Sequence, residues 1–222
     1  MSTPRPAPDL VIFDCDGVLV DSEVLACRTD AAVFTEIGFP ETAEAIMARY
    51  IGISAKAMFA DVQARHGRAL PDDISERLHA RLETVFAAEL GAIPGVADAV
   101  RALALPVCVA SSSRPERIRH SLELTGLVDL FQPHLFSATM VANGKPAPDL
   151  FLHAAARMGA DPARCLVIED SLAGVTAGVA AGMRVLGFTG GGHCGPGHAA
   201  RLTAAGASAT FARMADLPGL AA

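Results

Sequence analysis

The chain has 222 residues, 51% of them hydrophobic, and a formal net charge of −6. That length is ample for a buried core and leaves room for one modest insertion. No apolar run approaches the ~20 residues of a membrane-spanning helix. The acidic balance, with no tryptophan, one tyrosine and no basic stripe, speaks against nucleic-acid binding through a broad cationic face.

Residues 1–8 are proline-rich, lack the apolar stretch of a secretion signal, and read as a flexible tail on a cytoplasmic protein. Leu10-Val-Ile-Phe13 is a short apolar run ending in acidic residues and Gly17, which predicts a buried strand that stops at a polar site. Ser22 can cap a helix whose apolar positions Val24, Cys27, Ala31 and Phe34 recur at spacings of three and four, with Gly38 ending it. Helical stretches follow at about 41–49, 54–66 and 72–90, so 21–91 reads as a helical domain inserted into a core of 9–20 and 92–222. After Ile93-Pro94-Gly95 the pattern alternates. Strands are predicted at 106–110, 135–137, 165–168 and 184–188, with one more at 209–211. Between them lie helices at 113–126, opened by a capping box from Ser113 to Glu116, at 149–158, and at 171–181, closed by Gly182. Strand–helix alternation predicts an α/β fold, a Rossmann-like doubly wound parallel sheet, interrupted after its first strand by the helical block. Ligands of such sheets bind at the carboxyl ends of the strands.

Three of those ends are polar: Asp14-Cys15-Asp16-Gly17, Ser111-Ser112-Ser113 and Glu169-Asp170-Ser171. Lys145 precedes Pro146 in the turn before a helix. Each alone is an ordinary turn or cap residue. Together they make a carboxylate cluster with a cation and hydroxyls. Clustered carboxylates raise one another's pKa unless a cation sits among them, and an all-oxygen donor set is what magnesium prefers. A negative surface does not oppose a phosphate substrate, because a metal reverses the local field.

With these motifs the chain resembles the haloacid dehalogenase superfamily, in the subgroup with a helical cap after the first strand. The first motif reads Asp14-Cys-Asp16-Gly-Val-Leu-Val-Asp21-Ser22, the second is Ser111, and the third is Lys145 with Pro146-Ala-Pro148-Asp149. The fourth is Ile168-Glu169-Asp170-Ser171 with Gly174. The resemblance implies a magnesium-dependent phosphatase. Asp14 would attack phosphorus and carry an aspartyl-phosphate. Asp16 would protonate the leaving oxygen and then activate water. Magnesium would be held by Asp14, the Asp16 carbonyl and Asp170, with Glu169 reaching it through water. Ser111, Ser112 and Lys145 would hold phosphate oxygens, with Arg114 as a further candidate at a helix start. A carboxylate at Asp16 favours phosphate esters over haloacids, which have no alkoxide to protonate.

The resemblance makes 21–91 the cap, hinged at Asp21-Ser22 and at Ala92–Gly95. Within it Arg49, Ser54 and Lys56 flank the segment that faces the active site in similar enzymes, and are candidates for substrate hydroxyls, a carboxylate or a distal phosphate. The expected partner is a small phosphorylated metabolite, a sugar or sugar-acid phosphate such as 6-phosphogluconate, and the family default is a monomer. The alternative is a sugar phosphomutase of the β-phosphoglucomutase type, which carries a His and an Arg where this chain aligns Ala26 and Ala55. A non-catalytic binding module on the same fold would show a lost nucleophile, lysine or metal ligand, and none is lost. The five cysteines, none in a CxxC pair, read as free thiols in a reducing compartment. In the glycine-rich stretch, His193, Cys194 and His198 are three soft donors without a fourth, and the stretch reads as a mobile rim loop rather than a metal site.

Overall fold

A computed structural model describes residues 7–51 and 54–222, so most of the expected N-terminal tail lies outside the described residues. In chain order the elements are β1 (Leu10–Phe13), α1 (Glu23–Glu36), α2 (Ala43–Tyr50), α3 (Ala55–His66), α4 (Ile74–Glu89), α5 (Val96–Ala102) and β2 (Val107–Ser111). They continue with α6 (Pro115–Leu124), α7 (Val128–Phe131), β3 (Leu135–Ser137), α8 (Asp149–Met158), β4 (Cys165–Glu169) and α9 (Leu172–Ala180). The last are β5 (Arg184–Phe188), α10 (His198–Ala204), β6 (Ala209–Phe211) and α11 (Leu217–Ala221). The chain divides into two compact units, Met1–Asp21 with Gly91–Ala222, and Ser22–Leu90.

The first unit is a six-stranded parallel sheet in the order β3-β2-β1-β4-β5-β6. Every residue of β1 and β4 is buried, which is why both read as unbroken apolar runs rather than alternating ones. The chain steps outward through β2 and β3 on one side of β1 and through β4, β5 and β6 on the other. The connections therefore diverge between β1 and β4, the place where such sheets hold their ligands. Val11 pairs with both Val107 and Leu166, so β1, β2 and β4 run level and deliver their carboxyl ends together. On one face Leu150, Phe151, Ala154 and Ala155 of α8 share a core with Leu10, Ile12, Cys108 and Val167. Burial of a leucine or phenylalanine stabilises by about 1.5–3 kcal/mol, and the small alanines let the helix lie close.

The second unit is helical. Its core joins Cys27, Ala31 and Phe34 of α1 to Ile46 and Tyr50 of α2, Met58 and Val62 of α3, and Ile74 and Leu78 of α4. Thr42 caps α2 by accepting from the Ala45 amide at 3.2 Å, and Ser54 caps α3 by accepting from the Ala57 amide at 3.3 Å. The short helices α5, α7, α10 and α11 were not predicted. Each spans two turns or fewer, too short for a 3.6-residue period to show in sequence.

Candidate active site

The carboxyl end of β1 is the centre of the site. Asp14 donates its backbone N–H to the Ile168 carbonyl at 3.0 Å, so the β1–β4 pairing reaches as far as the residue that carries the carboxylate. Lys145, in the turn before α8, donates Nζ to Asp14 Oδ1 and to Glu169 Oε1, each at 2.7 Å. The same ammonium lies 5.0 Å from the Phe151 ring centroid, and its side chain is 4% exposed. Oxygens of Asp14, Glu169 and Asp170 all lie within 4.8 Å of one another. The remaining oxygen of Glu169, Oε2, accepts from the Ser171 amide at 2.8 Å and its hydroxyl at 2.9 Å.

Three buried carboxylates at this spacing repel one another. Burial pushes Asp14 well above the ordinary aspartate range; Lys145 pulls against this, and Glu169 and Asp170 reinforce it. Asp170 is raised first by burial, with His193 opposing. Burial works against the Lys145 charge, but the Asp14 and Glu169 carboxylates outweigh it and hold the lysine above its usual value. A divalent cation among these oxygens would relieve the repulsion.

Asp16, two residues on, has a different environment. Its Oδ2 accepts from the Ser113 hydroxyl at 2.7 Å, and its Oδ1 lies 3.4 Å from an Arg117 nitrogen. Ser113 was expected to cap α6. The N-cap is Arg114, with no side-chain cap bond, and the Ser113 hydroxyl is spent on Asp16 instead. Ser111 is buried and its hydroxyl accepts from the Ser113 amide at 3.1 Å. Ser112 and Arg114 are exposed. Sequence reading singled out Arg114; Arg117, one turn into the same helix, is the arginine beside Asp16. The sequence signal for Arg117 is its place in the first turn of α6, three positions after Arg114.

In the glycine-rich stretch His193 and His198 are buried. His193 Nε2 stands 2.9 Å from Asp170 Oδ2, and His198 Nε2 lies 2.6 Å from the Asp170 backbone carbonyl. Burial lowers the His193 pKa, but its bonds to Asp170 and Cys194 outweigh this and carry it up to about 10. Gly17 makes room for this pairing: it sits at φ +80°, and a Cβ there would fall 2.0 Å from Asp170 Oδ2.

Arg49, Ser54 and Lys56 belong to the helical unit. Arg49 lies 3.7 Å from Glu41, Ser54 serves as the α3 cap, and Lys56 is exposed on α3. Gly52 and Ile53, between them, lie outside the described residues.

Residues 8–182 match the model of a hydrolase family, the haloacid dehalogenase-like hydrolases. The chain is 32% identical over 213 residues to the 6-phosphogluconate phosphatase of Escherichia coli K12, covering 96% of this chain and 94% of that protein. Among solved structures, a haloacid dehalogenase-like protein of unknown function from Agrobacterium tumefaciens superposes with a TM-score of 0.88 at 41% identity, over 96% of both chains. A HAD family hydrolase from Deinococcus radiodurans, solved with bound phosphate and sodium, superposes with a TM-score of 0.82 at 34% identity, over 96% of this chain and 94% of that one.

Proposed function

This chain belongs to the haloacid dehalogenase-like hydrolases and is a phosphatase, and from that premise we propose that it hydrolyses a small sugar or sugar-acid phosphate through an aspartyl-phosphate on Asp14, with magnesium as cofactor. The observation that carries the reading is the separation of two nearby carboxylates. Asp14 lies with Lys145, Glu169 and Asp170, whereas Asp16 is turned to Ser113 and Arg117. Two carboxylates in unlike environments suit a nucleophile and a general acid–base.

The clustered carboxylate oxygens of Asp14, Glu169 and Asp170 are the hard donors magnesium takes, and in this reading the Asp16 carbonyl would join Asp14 and Asp170, with Glu169 reaching the ion through water. When bound, the ion neutralises charge between the carboxylate nucleophile and the phosphate it approaches. Asp14 then attacks phosphorus as the leaving oxygen departs with a proton from Asp16. Asp16, now ionised, takes a proton from water as that water attacks the phosphorus of aspartyl-phosphate, releasing phosphate and restoring Asp14. Lys145 offsets charge on the transferring group, and Ser111 with the amides of the two strand-end loops donates to its oxygens. The Ser113 hydroxyl and Arg117 orient Asp16. The helical unit takes the part of a substrate-selecting cap, with Arg49, Ser54 and Lys56 as its candidate contacts. The substrate class is supported by the E. coli relative that is a 6-phosphogluconate phosphatase, and phosphate binding by the Deinococcus structure that holds one. A reducing, cytoplasmic setting is supported by five free cysteines, four of them buried.

The test is phosphate release from 6-phosphogluconate, hexose and hexitol phosphates, phosphoglycolate and nucleotides, with magnesium and with chelator. Magnesium-dependent release, strongest for the sugar and sugar-acid phosphates, is the expected outcome. No release from any of them would overturn hydrolysis and direct the work to isomerisation of β-glucose 1-phosphate with a bisphosphate primer.

A further inference from the structure

The stretch after β5 carries three soft donors, and the fold sets the Asp170 carboxylate beside one of them, His193. His193 Nε2 lies 2.9 Å from Asp170 Oδ2 and 3.4 Å from Cys194 Sγ. One donor atom each from His193, Cys194 and His198 fall within 4.8 Å of one another. Around a tetrahedral zinc ion, with bonds of ~2.0–2.3 Å, neighbouring donors stand ~3.3–3.7 Å apart. The His193 imidazole is already near that spacing from the Cys194 thiol and somewhat inside it from the Asp170 carboxylate.

The place is built. The His193 side chain is 2% exposed and slotted between two glycines: a Cβ on Gly17 would come within 2.9 Å of its Cε1, and one on Gly191 within 2.9 Å of its Nδ1. That Nδ1 is buried with no hydrogen-bond partner among the described residues. An unsatisfied buried polar atom is destabilising, so the ring is held by what Nε2 engages. The phosphatase chemistry makes no use of Cys194.

We propose that His193, Cys194, His198 and the Oδ2 side of Asp170 form a site for a thiolate-seeking divalent ion of the zinc class, adjoining the oxygen cluster and sharing Asp170 with it. The ion takes the place of the hydrogen between His193 Nε2 and Asp170 Oδ2, and the Cys194 thiol gives up its proton on binding. His198, which meets the Asp170 carbonyl through Nε2 and Arg201 at 3.1 Å through Nδ1, exchanges the carbonyl for the metal. Thiolate and imidazole select zinc over magnesium. Because Asp170 is claimed by both sites, zinc here antagonises magnesium and slows turnover. That consequence rests on the proposed function; the binding does not.

The experiment is cobalt titration of the full chain after chelator dialysis, read by absorption, with zinc inhibition measured in parallel at constant magnesium. One cobalt per chain with a thiolate-to-metal charge-transfer band is expected. The band reports Cys194, since the other four cysteines are buried. Cys194→Ser should lose the band, and zinc should inhibit it at a concentration about 10-fold or more above that for the parent; His193→Gln should lose the band as well. Cobalt bound without a thiolate band in the parent protein would overturn the site. So would zinc inhibition that is undiminished in Cys194→Ser, which would place the soft ion in the oxygen cluster. A chain inactive on every phosphate ester would sink the proposed function while leaving the cobalt spectrum to decide the site.

Discussion

At the scale of single residues, Asp14 and Asp16 differ only in what the fold places beside them. Asp14→Asn keeps the shape and removes the proposed nucleophile, so turnover should fall by ~10⁴-fold or more. Its melting temperature should change by no more than the ~4 °C that 1 kcal/mol represents, because the loss of a Lys145 partner is offset by relief among buried carboxylates. A folded, active Asp14→Asn enzyme would end the covalent mechanism. Asp16→Asn should lower kcat by ~10²–10⁴-fold on a sugar phosphate. On p-nitrophenyl phosphate, whose leaving group departs without a proton, kcat/KM, which reports phosphoryl transfer to Asp14, should fall much less than on the sugar phosphate, while kcat falls on both because Asp16 also activates the water. Equal losses of kcat/KM on both substrates would remove the general-acid role.

At the scale of elements, the first turn of α9 is packed against the site at atomic range. The Gly174 amide donates to the Ser171 hydroxyl at 3.0 Å, and a Cβ at Gly174 would fall 1.7 Å from Glu169 Oε1. Gly174→Ala must therefore displace the carboxylate that holds Lys145. It should destabilise by about 1–3 kcal/mol and depress kcat, seen as a lower melting temperature together with weaker phosphate release. In the helical unit, Glu41 leads into α2 with a side chain 3% exposed, 2.6 Å from Arg65 and 3.1 Å from His66. Burial raises its pKa, but the bonds from Arg65 and His66 outweigh this and hold it below the ordinary glutamate range. A depressed carboxylate contributes stability that is present above its unfolded value, near pH 4.5, and lost as pH falls through the lower folded value. The parent protein should thus lose stability below pH 4.5, and Glu41→Gln should flatten that loss while lowering stability at pH 7 by about 1–3 kcal/mol, the reduced figure reflecting an Arg65 side chain that is 31% exposed. Acid unfolding curves for the two proteins make the comparison, and identical slopes would refute it.

At the scale of the whole molecule, the proposed magnesium ion binds only the folded chain and should stabilise it. At 100 times its dissociation constant the gain is ~2.7 kcal/mol, or about 5–10 °C in melting temperature for a chain of this length. Calorimetry with and without chelator reads it, and Asp170→Asn should abolish the difference; an unshifted parent protein would argue against the cofactor. The sequence by itself determined much of this molecule. Leu10–Phe13 and Cys165–Ile168 read as strands, because short unbroken apolar runs that stop at polar residues suit strands covered on both faces. The polar residues that interrupt them, Asp14, Asp16, Glu169 and Asp170, were legible as a site because a parallel sheet presents strand ends together. What the tertiary structure alone decided are contacts with no local signature. Ser113 has the spacing of a helix cap, yet its hydroxyl is claimed by Asp16, 97 positions away. His193 lies in a stretch that reads as loop, yet the return of the chain after β5 seats it on Asp170. Local patterns record hydrogen bonds between neighbours in the chain; bonds made across the sheet depend on which strand ends meet, and that is set only when the fold closes.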